Sequence, residues 1–170
     1  MRSPALLAFS VAICFSILVS AHAQEKKITQ KDVPAAVTGA FQKAYPTATV
    51  RGYAKEVEGG KTYYEIESMN GKMSLDVLYI ADGTLAEVEE GLVPADLPAP
   101  VKDAVNAKHP DAKITRAEKT TRGDVVTYEL GLASGKSRMS MVVDPSGKVV
   151  KESKPEGKKP KREEKEKKED

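Results

Sequence analysis

Glu65 and Glu129 stand 64 residues apart (129 − 65), each inside a run of alternating apolar and polar residues: Tyr63-Tyr64-Glu65-Ile66-Glu67 and Thr127-Tyr128-Glu129-Leu130. Glu67 lies beside the first, and Asp76 follows in the next run. Paired carboxylates on a rigid sheet can serve as general acid and general base, provided an enclosed site pushes their proton affinities apart. Alternation on a solvated strand face calls for the same charged residues with no chemistry at all, and no loop is long enough to close over them. His109 is the only histidine after His22. Its counterpart 64 residues earlier is Tyr45, also directly before a proline, so packing or a favourable place at a helix C-terminus explains it better than catalysis. A single histidine without a thiolate cannot build a strong zinc site. Asp144-Pro145-Ser146-Gly147 lacks the alternating oxygen ligands and closing glutamate of a calcium loop. There is no Gly-x-Ser-x-Gly elbow, phosphate-binding glycine loop or Ser/His/Asp set. A non-enzyme with no catalytic residue, metal or cofactor is expected.

The elements that position these residues come in two copies. Residues 33–46, Val-Pro-Ala-Ala-Val-Thr-Gly-Ala-Phe-Gln-Lys-Ala-Tyr-Pro, return as residues 97–110, Leu-Pro-Ala-Pro-Val-Lys-Asp-Ala-Val-Asn-Ala-Lys-His-Pro. The match continues without a gap for some forty residues, the mark of one fold built from two supersecondary units. Val33, Val37, Ala40, Phe41 and Ala44, and then Leu97, Val101, Ala104 and Val105, draw one apolar stripe along a helix. Asp32 and Asp96 before Val33-Pro34 and Leu97-Pro98 read as helix starts, and Pro46 and Pro110 close the helices. Strand signals follow at residues 48–57, 62–69, 72–80 and 84–88, and again at 112–119, 125–133, 137–143 and 148–152. Gly59, Gly71 and Gly83 mark the turns of the first copy, and Gly123, Gly135 and Gly147 those of the second. The fold class expected is α+β: two tandem α-β-β-β-β units forming one eight-stranded antiparallel sheet with both helices on one face. A unit of about 60 residues buries only about 60% of its unfolded surface, so the two are expected to share a core in one domain at 24–153, with repeats at about 28–90 and 92–152.

The two ends set the compartment. Arg2, an apolar run over residues 5–19 and the small-x-small pattern Ala21-His22-Ala23 read as a signal peptide cleaved after Ala23. Cys14 lies in that run and leaves with it, so the exported chain holds no cysteine and its stability must come from its core. A periplasmic or secreted location is expected, with no stable membrane insertion after cleavage. Residues 154–170 carry eight basic and six acidic residues and no apolar side chain beyond two prolines, the composition of a disordered tail. Their mixed charge, like the net charge of +2 for the whole chain, offers no concentrated positive patch for nucleic acid.

Strand alternation sorts the side chains onto two faces. Tyr64, Ile66, Leu75 and Val77, with Tyr128, Leu130, Met139 and Met141, should point toward the helices. The opposite face carries Tyr63, Glu65, Glu67, Asp76 and Leu78 in the first copy and Thr127, Glu129 and Arg138 in the second, and these eight are the candidate binding residues.

The segments Val-Pro-Ala-Ala-Val…Phe-x-Lys-x-Tyr-Pro-x-Ala, Tyr-Tyr-Glu-Ile and Ala-Asp-Gly-Thr-Leu resemble the PepSY-like domains of exported bacterial proteins. The second copy repeats the marks as Leu-Pro-Ala-Pro-Val, Lys-His-Pro-Asp-Ala, Thr-Tyr-Glu-Leu and Asp-Pro-Ser-Gly-Lys. The resemblance covers most of residues 28–152. It implies a fold similar to that of the β-lactamase inhibitor protein, whose tandem units form a sheet with helices on one face, and it carries over no catalytic residue. The leading expectation is a binding module that meets an envelope protein, peptide or other envelope ligand on its helix-free sheet face. Two alternatives accompany it: a proteinaceous inhibitor of a periplasmic hydrolase such as a peptidase or β-lactamase, and a structural or stress-response envelope protein.

Overall fold

Val37 and Phe41 are shielded from solvent, as are Val101 and Val105 at the same places in the second copy, because residues four apart share one face of a helix. The computed structural model, which describes residues 25–153 and 156–157, forms these helices as α1 (Ala35–Ala44) and α2 (Ala99–Lys108). The leader expected at 1–23 and most of the tail expected at 154–170 lie outside the described residues. Each helix stops just before its proline. Tyr45 (φ −130°, ψ 63°) and His109 (φ −137°, ψ 66°) leave the helical region in the same way, as a residue before proline must.

The helix starts depart from expectation. Pro34 and Pro98 are the capping residues, and Val33 before Pro34 is extended, so Asp32 stands too far upstream to reach the free amides of α1. Its carboxylate instead accepts from the Thr29 N–H at 3.1 Å and the Thr29 hydroxyl at 2.7 Å, closing a 3-10 turn over Gln30–Asp32. Asp96 ends the corresponding turn at Pro94–Asp96, with no side-chain cap bond.

The strands are β1 (Lys26–Ile28), β2 (Thr49–Glu58), β3 (Lys61–Asn70), β4 (Met73–Tyr79), β5 (Leu85–Gly91), β6 (Lys113–Arg122), β7 (Val125–Ser134), β8 (Ser137–Val143), β9 (Val149–Glu152) and β10 (Glu156–Gly157). They form one continuous antiparallel sheet in chain order from β1 to β8, with β9 and β10 both pairing β8. The eight expected strands are β2 to β9. Two short edge pairings add to them: β1 on β2, and Glu156 and Gly157 of the tail opposite Arg138 and Ser137. Each copy bends at the same place, through a bulge between Val50 and Gly52 on β2 and between Ile114 and Arg116 on β6.

Gly83 (φ 86°) and Gly147 (φ 90°) seat each helix on its own meander. A Cβ at Gly83 would stand 2.7 Å from the Ala36 carbonyl oxygen, and one at Gly147 would stand 2.6 Å from that of Pro100. The β4–β5 and β8–β9 turns therefore press directly on the first turns of the helices, and glycine meets both the backbone angle and the close approach.

The expected shared core is two cores. One gathers Val33, Val37 and Phe41 over Ile66, Leu75, Val77 and Tyr79. The other gathers Leu97, Val101 and Val105 over Leu130, Leu132, Met141 and Val143. Between them runs the β5–β6 pairing that joins the copies, Val88↔Thr121 and Glu90↔Lys119. On that seam Lys119 Nζ meets Glu90 at 3.1 Å, and a polar seam interrupts the apolar contact between the two helix-covered regions. The sheet itself, rather than a common interior, makes the copies one body.

Candidate functional site

Cross-strand register fixes which residues share the helix-free face. One row runs Ala54↔Glu65↔Leu78↔Glu87. The next runs Gly52↔Glu67↔Asp76↔Glu89↔Thr120↔Thr127. A third runs Gly91↔Glu118↔Glu129↔Val142. All eight candidate residues fall on this face. Glu65, Glu67, Asp76 and Leu78 are immediate neighbours on β3 and β4, with Tyr63 next along β3. Thr127 and Glu129 lie on β7, beyond β5 and β6. Arg138 stands apart on β8, paired with Ala133 and Glu156. Although no helix covers this face, Leu78 is only 5% exposed and Glu87 8%, since long side chains on neighbouring strands close over them.

The electrostatics correct one expectation. No enclosed pocket is needed to move these carboxyls, because crowding on the sheet suffices. Burial pushes Glu65 up to about 7, with the charges of Glu56, Asp76 and Glu25 adding and Lys27 opposing. Burial likewise pushes Glu89 up to about 8, helped by Glu87, Glu118 and Glu129 and by a hydrogen bond with Glu87. Asp76 is raised by burial, against the Ser68 N–H that donates to it at 3.2 Å. Glu56 is raised by burial and by Glu25, Glu87 and Glu58. Charged forms lose water on this face and gain too little in return.

Three cations are already set into it. Lys27 pairs with Glu25 at 2.9 Å and with Glu67. Arg116 pairs with Glu118. Arg122 reaches Glu58 at 2.8 Å and Glu87 at 2.5 Å, its guanidinium carbon 6.0 Å from the centre of the Tyr63 ring. Glu56, Glu65, Asp76, Glu89 and Glu129 have no ion-pair partner among the described residues. The carboxylate oxygens of Glu25, Glu65 and Glu67 come within 4.8 Å of one another, but the Lys27 ammonium is the cation there. A shallow groove lined by Tyr63, Ile80, Leu85, Ala86 and Arg122 borders the acidic rows. A wider hollow on the other face, between β1 and the β2–β3 hairpin, is lined by Ile28, Lys55, Val57 and Tyr64 and touches none of these carboxyls except Glu25.

The repeat supplies an internal comparison. At seven acidic positions of the first copy on this face (Glu56, Glu58, Glu65, Glu67, Asp76, Glu87 and Glu89), the second copy has Thr120, Arg122, Glu129, Gly131, Ser140, Lys151 and Ser153. Only Glu129 keeps the acid, so the fold does not require the others. Of the seven, Glu56, Glu58, Glu87 and Glu89 are absent from the candidates drawn from sequence, as is Glu118. Strand parity carried the signal for Glu56, but Glu89 was hidden because the strand expected at 84–88 runs on to Gly91 in the structure.

His109 lies outside this face. Its Nε2 meets Glu152 at 2.7 Å and Lys108 meets the same carboxylate at 2.5 Å, tying the end of α2 to β9. Those two hydrogen bonds, Lys108 first, hold Glu152 below the usual carboxylate range. Tyr45, in the matching slot, packs against Phe41 with ring centroids 5.4 Å apart. In both copies the residue in this slot makes its contact at the end of its own helix.

Two helices on one side of a twice-repeated antiparallel meander, with an exposed opposite face, define an α+β tandem-repeat domain. The sequence profile of the beta-lactamase-inhibitor-like, PepSY-like family matches twice, at residues 19–87 and 62–151, and the chain belongs to that family. No curated protein matches it. Among solved structures, a DUF2874-family protein of Bacteroides uniformis is similar at 15% identity, with a TM-score of 0.60 over 71% of this chain and 88% of that one. A BLIP-like protein of Bacteroides fragilis is similar at 18% identity, with a TM-score of 0.56 over 72% and 86%. A protein of Bacteroides eggerthii, provisionally described as periplasmic, aligns at 17% identity, with a TM-score of 0.61 over 71% and 88%. At these identities the likeness is one of fold. No helix of the described residues is long and apolar enough to cross a membrane.

Proposed function

We propose that this protein is an exported, non-enzymatic binding module that takes a protein or peptide of the cell envelope on its helix-free sheet face. One observation carries the reading. The first copy concentrates desolvated carboxyls on that face, while the second, with the same backbone, has one acid at the seven equivalent positions. Groups that oppose folding and that the scaffold does without are what a functional surface leaves in a sequence. Tyr63 and the groove beside it supply an aromatic anchor of the kind that carries interface energy. The leader pattern at 1–23 supports export, and so does the provisional periplasmic description of the B. eggerthii neighbour. The negative face disfavours nucleic acid.

The test is capture of partners from a native envelope extract with the protein and with its Tyr63→Ala/Glu65→Ala variant. Partners lost by the variant support the site, and unchanged capture of every partner refutes it. The family's inhibitor-like description favours a second reading, inhibition of a periplasmic hydrolase. Full activity of periplasmic peptidases and β-lactamases at high micromolar concentrations of the protein would remove it. A hydrolase activity of the protein itself that vanished in His109→Ala would overturn the non-enzymatic assignment.

A further inference from the structure

We propose that the acidic face holds a Lys/Arg-rich stretch of a partner polypeptide in extended form, its cations standing among Glu56, Glu65, Asp76 and Glu89. This rests on the reading of the helix-free face as a binding surface and names the chemistry of what binds there.

Lys27 and Arg122 show the mode. Lys27 sits between Glu25 and Glu67, and Arg122 between Glu58 and Glu87, so each built-in cation is shared by two carboxylates. The carboxyls left over face the same surroundings without such a partner. Glu65 is met by Glu25 beside β1 and Lys27 on β1, by Glu56 on β2 and by Asp76 on β4. Glu89 is met by Glu87 on its own strand, by Asp76 opposite it on β4, by Glu118 on β6 and by Glu129 on β7. Arg116, paired with Glu118, is the nearby cation that feels Glu89. A phosphate polymer, an anionic headgroup or an acidic peptide meets repulsion here, whereas a cation relieves it. An extended peptide with a cation at every second residue repeats at about 6.8 Å. The unpartnered carboxyls occupy three successive rows of the face at that interval: Glu56 opposite Tyr63, then Glu65, then Asp76 with Glu89.

The chain's own basic stretch, Lys158-Lys159-Pro160-Lys161-Arg162, is the competing occupant. It follows β10, which pairs β8, and runs straight on into residues 163–170. Those eight carry five acids against three lysines, so the tail brings with it the charge that this face repels. The charge balance therefore favours an external partner.

Calorimetric titration of the purified protein with a twelve-residue alternating Lys-Ala peptide, and with its Glu-Ala counterpart, tests this. The cationic peptide should bind and the acidic one should not. Glu65→Gln/Glu89→Gln should weaken the cationic peptide by about tenfold or more. Binding should tighten from pH 6 to pH 8.5 as Glu65 and Glu89 ionise, and the double variant should lose that dependence, which a merely structural role would leave in place. Both substitutions remove desolvated acids, so the variant should fold. Equal binding of the two peptides, or an affinity untouched by the double substitution, overturns the proposal. Partner capture that depends on Tyr63 and Glu65, with no binding of the cationic peptide, would keep the face as the site and refute its cationic ligand. Tighter peptide binding after Lys158, Lys159, Lys161 and Arg162 are changed to alanine would make the tail the occupant and overturn the external partner.

Discussion

Glu89→Gln should stabilise the protein, and by an amount that grows with pH. The ordinary glutamate value is 4.5, and burial among Glu87, Glu118 and Glu129 lifts it to about 8 in the folded chain. Between those values the folded state keeps a proton that the unfolded chain has released. Stability therefore falls as pH rises through that window and levels off above it. A tenfold change in proton affinity is worth about 1.4 kcal/mol, which puts a ceiling of about 5 kcal/mol on the effect. Solvent still reaches part of the side chain and screens it, so about 2 kcal/mol is expected. Glutamine keeps the shape and, like the protonated acid, can donate to Glu87. Urea unfolding from pH 5 to pH 8.5 reads the result directly. The native protein should lose about 2 kcal/mol across that range on account of Glu89, and Glu89→Gln should lose correspondingly less while being the more stable of the two at pH 8.5. A native curve that is flat over the range, or a variant no more stable than the parent at pH 8.5, would refute the claim that this face holds its carboxyls against their preference.

Other outcomes follow from the scaffold. Gly83→Ala should cost about 2–4 kcal/mol, because a β-carbon there meets both an unfavourable φ and the Ala36 carbonyl oxygen at 2.7 Å. By contrast, Gly39→Ala, in mid-α1 with nothing within 4 Å of the added carbon, should stabilise by about 0.5–1 kcal/mol. Chemical denaturation of both variants distinguishes a seat from a spare position. Ile66→Ala and Leu130→Ala should each cost about 2–5 kcal/mol. Since the two lie in different clusters, their effects should add to within about 0.5 kcal/mol. A larger coupling energy in that double-mutant cycle would mean that the cores act as one.

The sheet was legible because its determinants are local. A copied helix stripe, prolines at matching ends and glycines at every hairpin each act within a few residues, and α1, α2 and β2 to β9 lie close to the places these marks imply. What escaped is set by contacts distant in sequence. Lys26–Ile28 is too short to show a period and becomes a strand only by pairing with Ile28↔Tyr53 and its neighbours. Asp32 has the composition of a helix cap and spends its carboxylate on Thr29, because the chain stays extended for one residue more. Alternation ends β5 at residue 88 and so hides the polar seam of Glu90 and Lys119, which divides the expected single core into two.

The same boundary explains why the site was read in part. Alternation alone put Tyr63, Glu65, Glu67, Asp76 and Leu78 on one face, and register agrees. It could not say that β5 lies beside them, since strand order is a property of the sheet. Once β5 is in place, Glu87 and Glu89 join Asp76 and Leu78 across the pairing, and β6 brings Glu118 and the cations Arg116 and Arg122. Arg122 occupies the position that Glu58 holds in the first copy, and the two are joined at 2.8 Å. A duplicated fold that kept identical copies would have set acid against acid at that seam. The second copy carries the opposite charge there and, directly opposite Glu89, Thr120 at the position of Glu56. The divergence thus removes repulsion where the copies meet and leaves it concentrated on β2 to β5, where Glu65 and Glu89 relieve it by holding protons to higher pH.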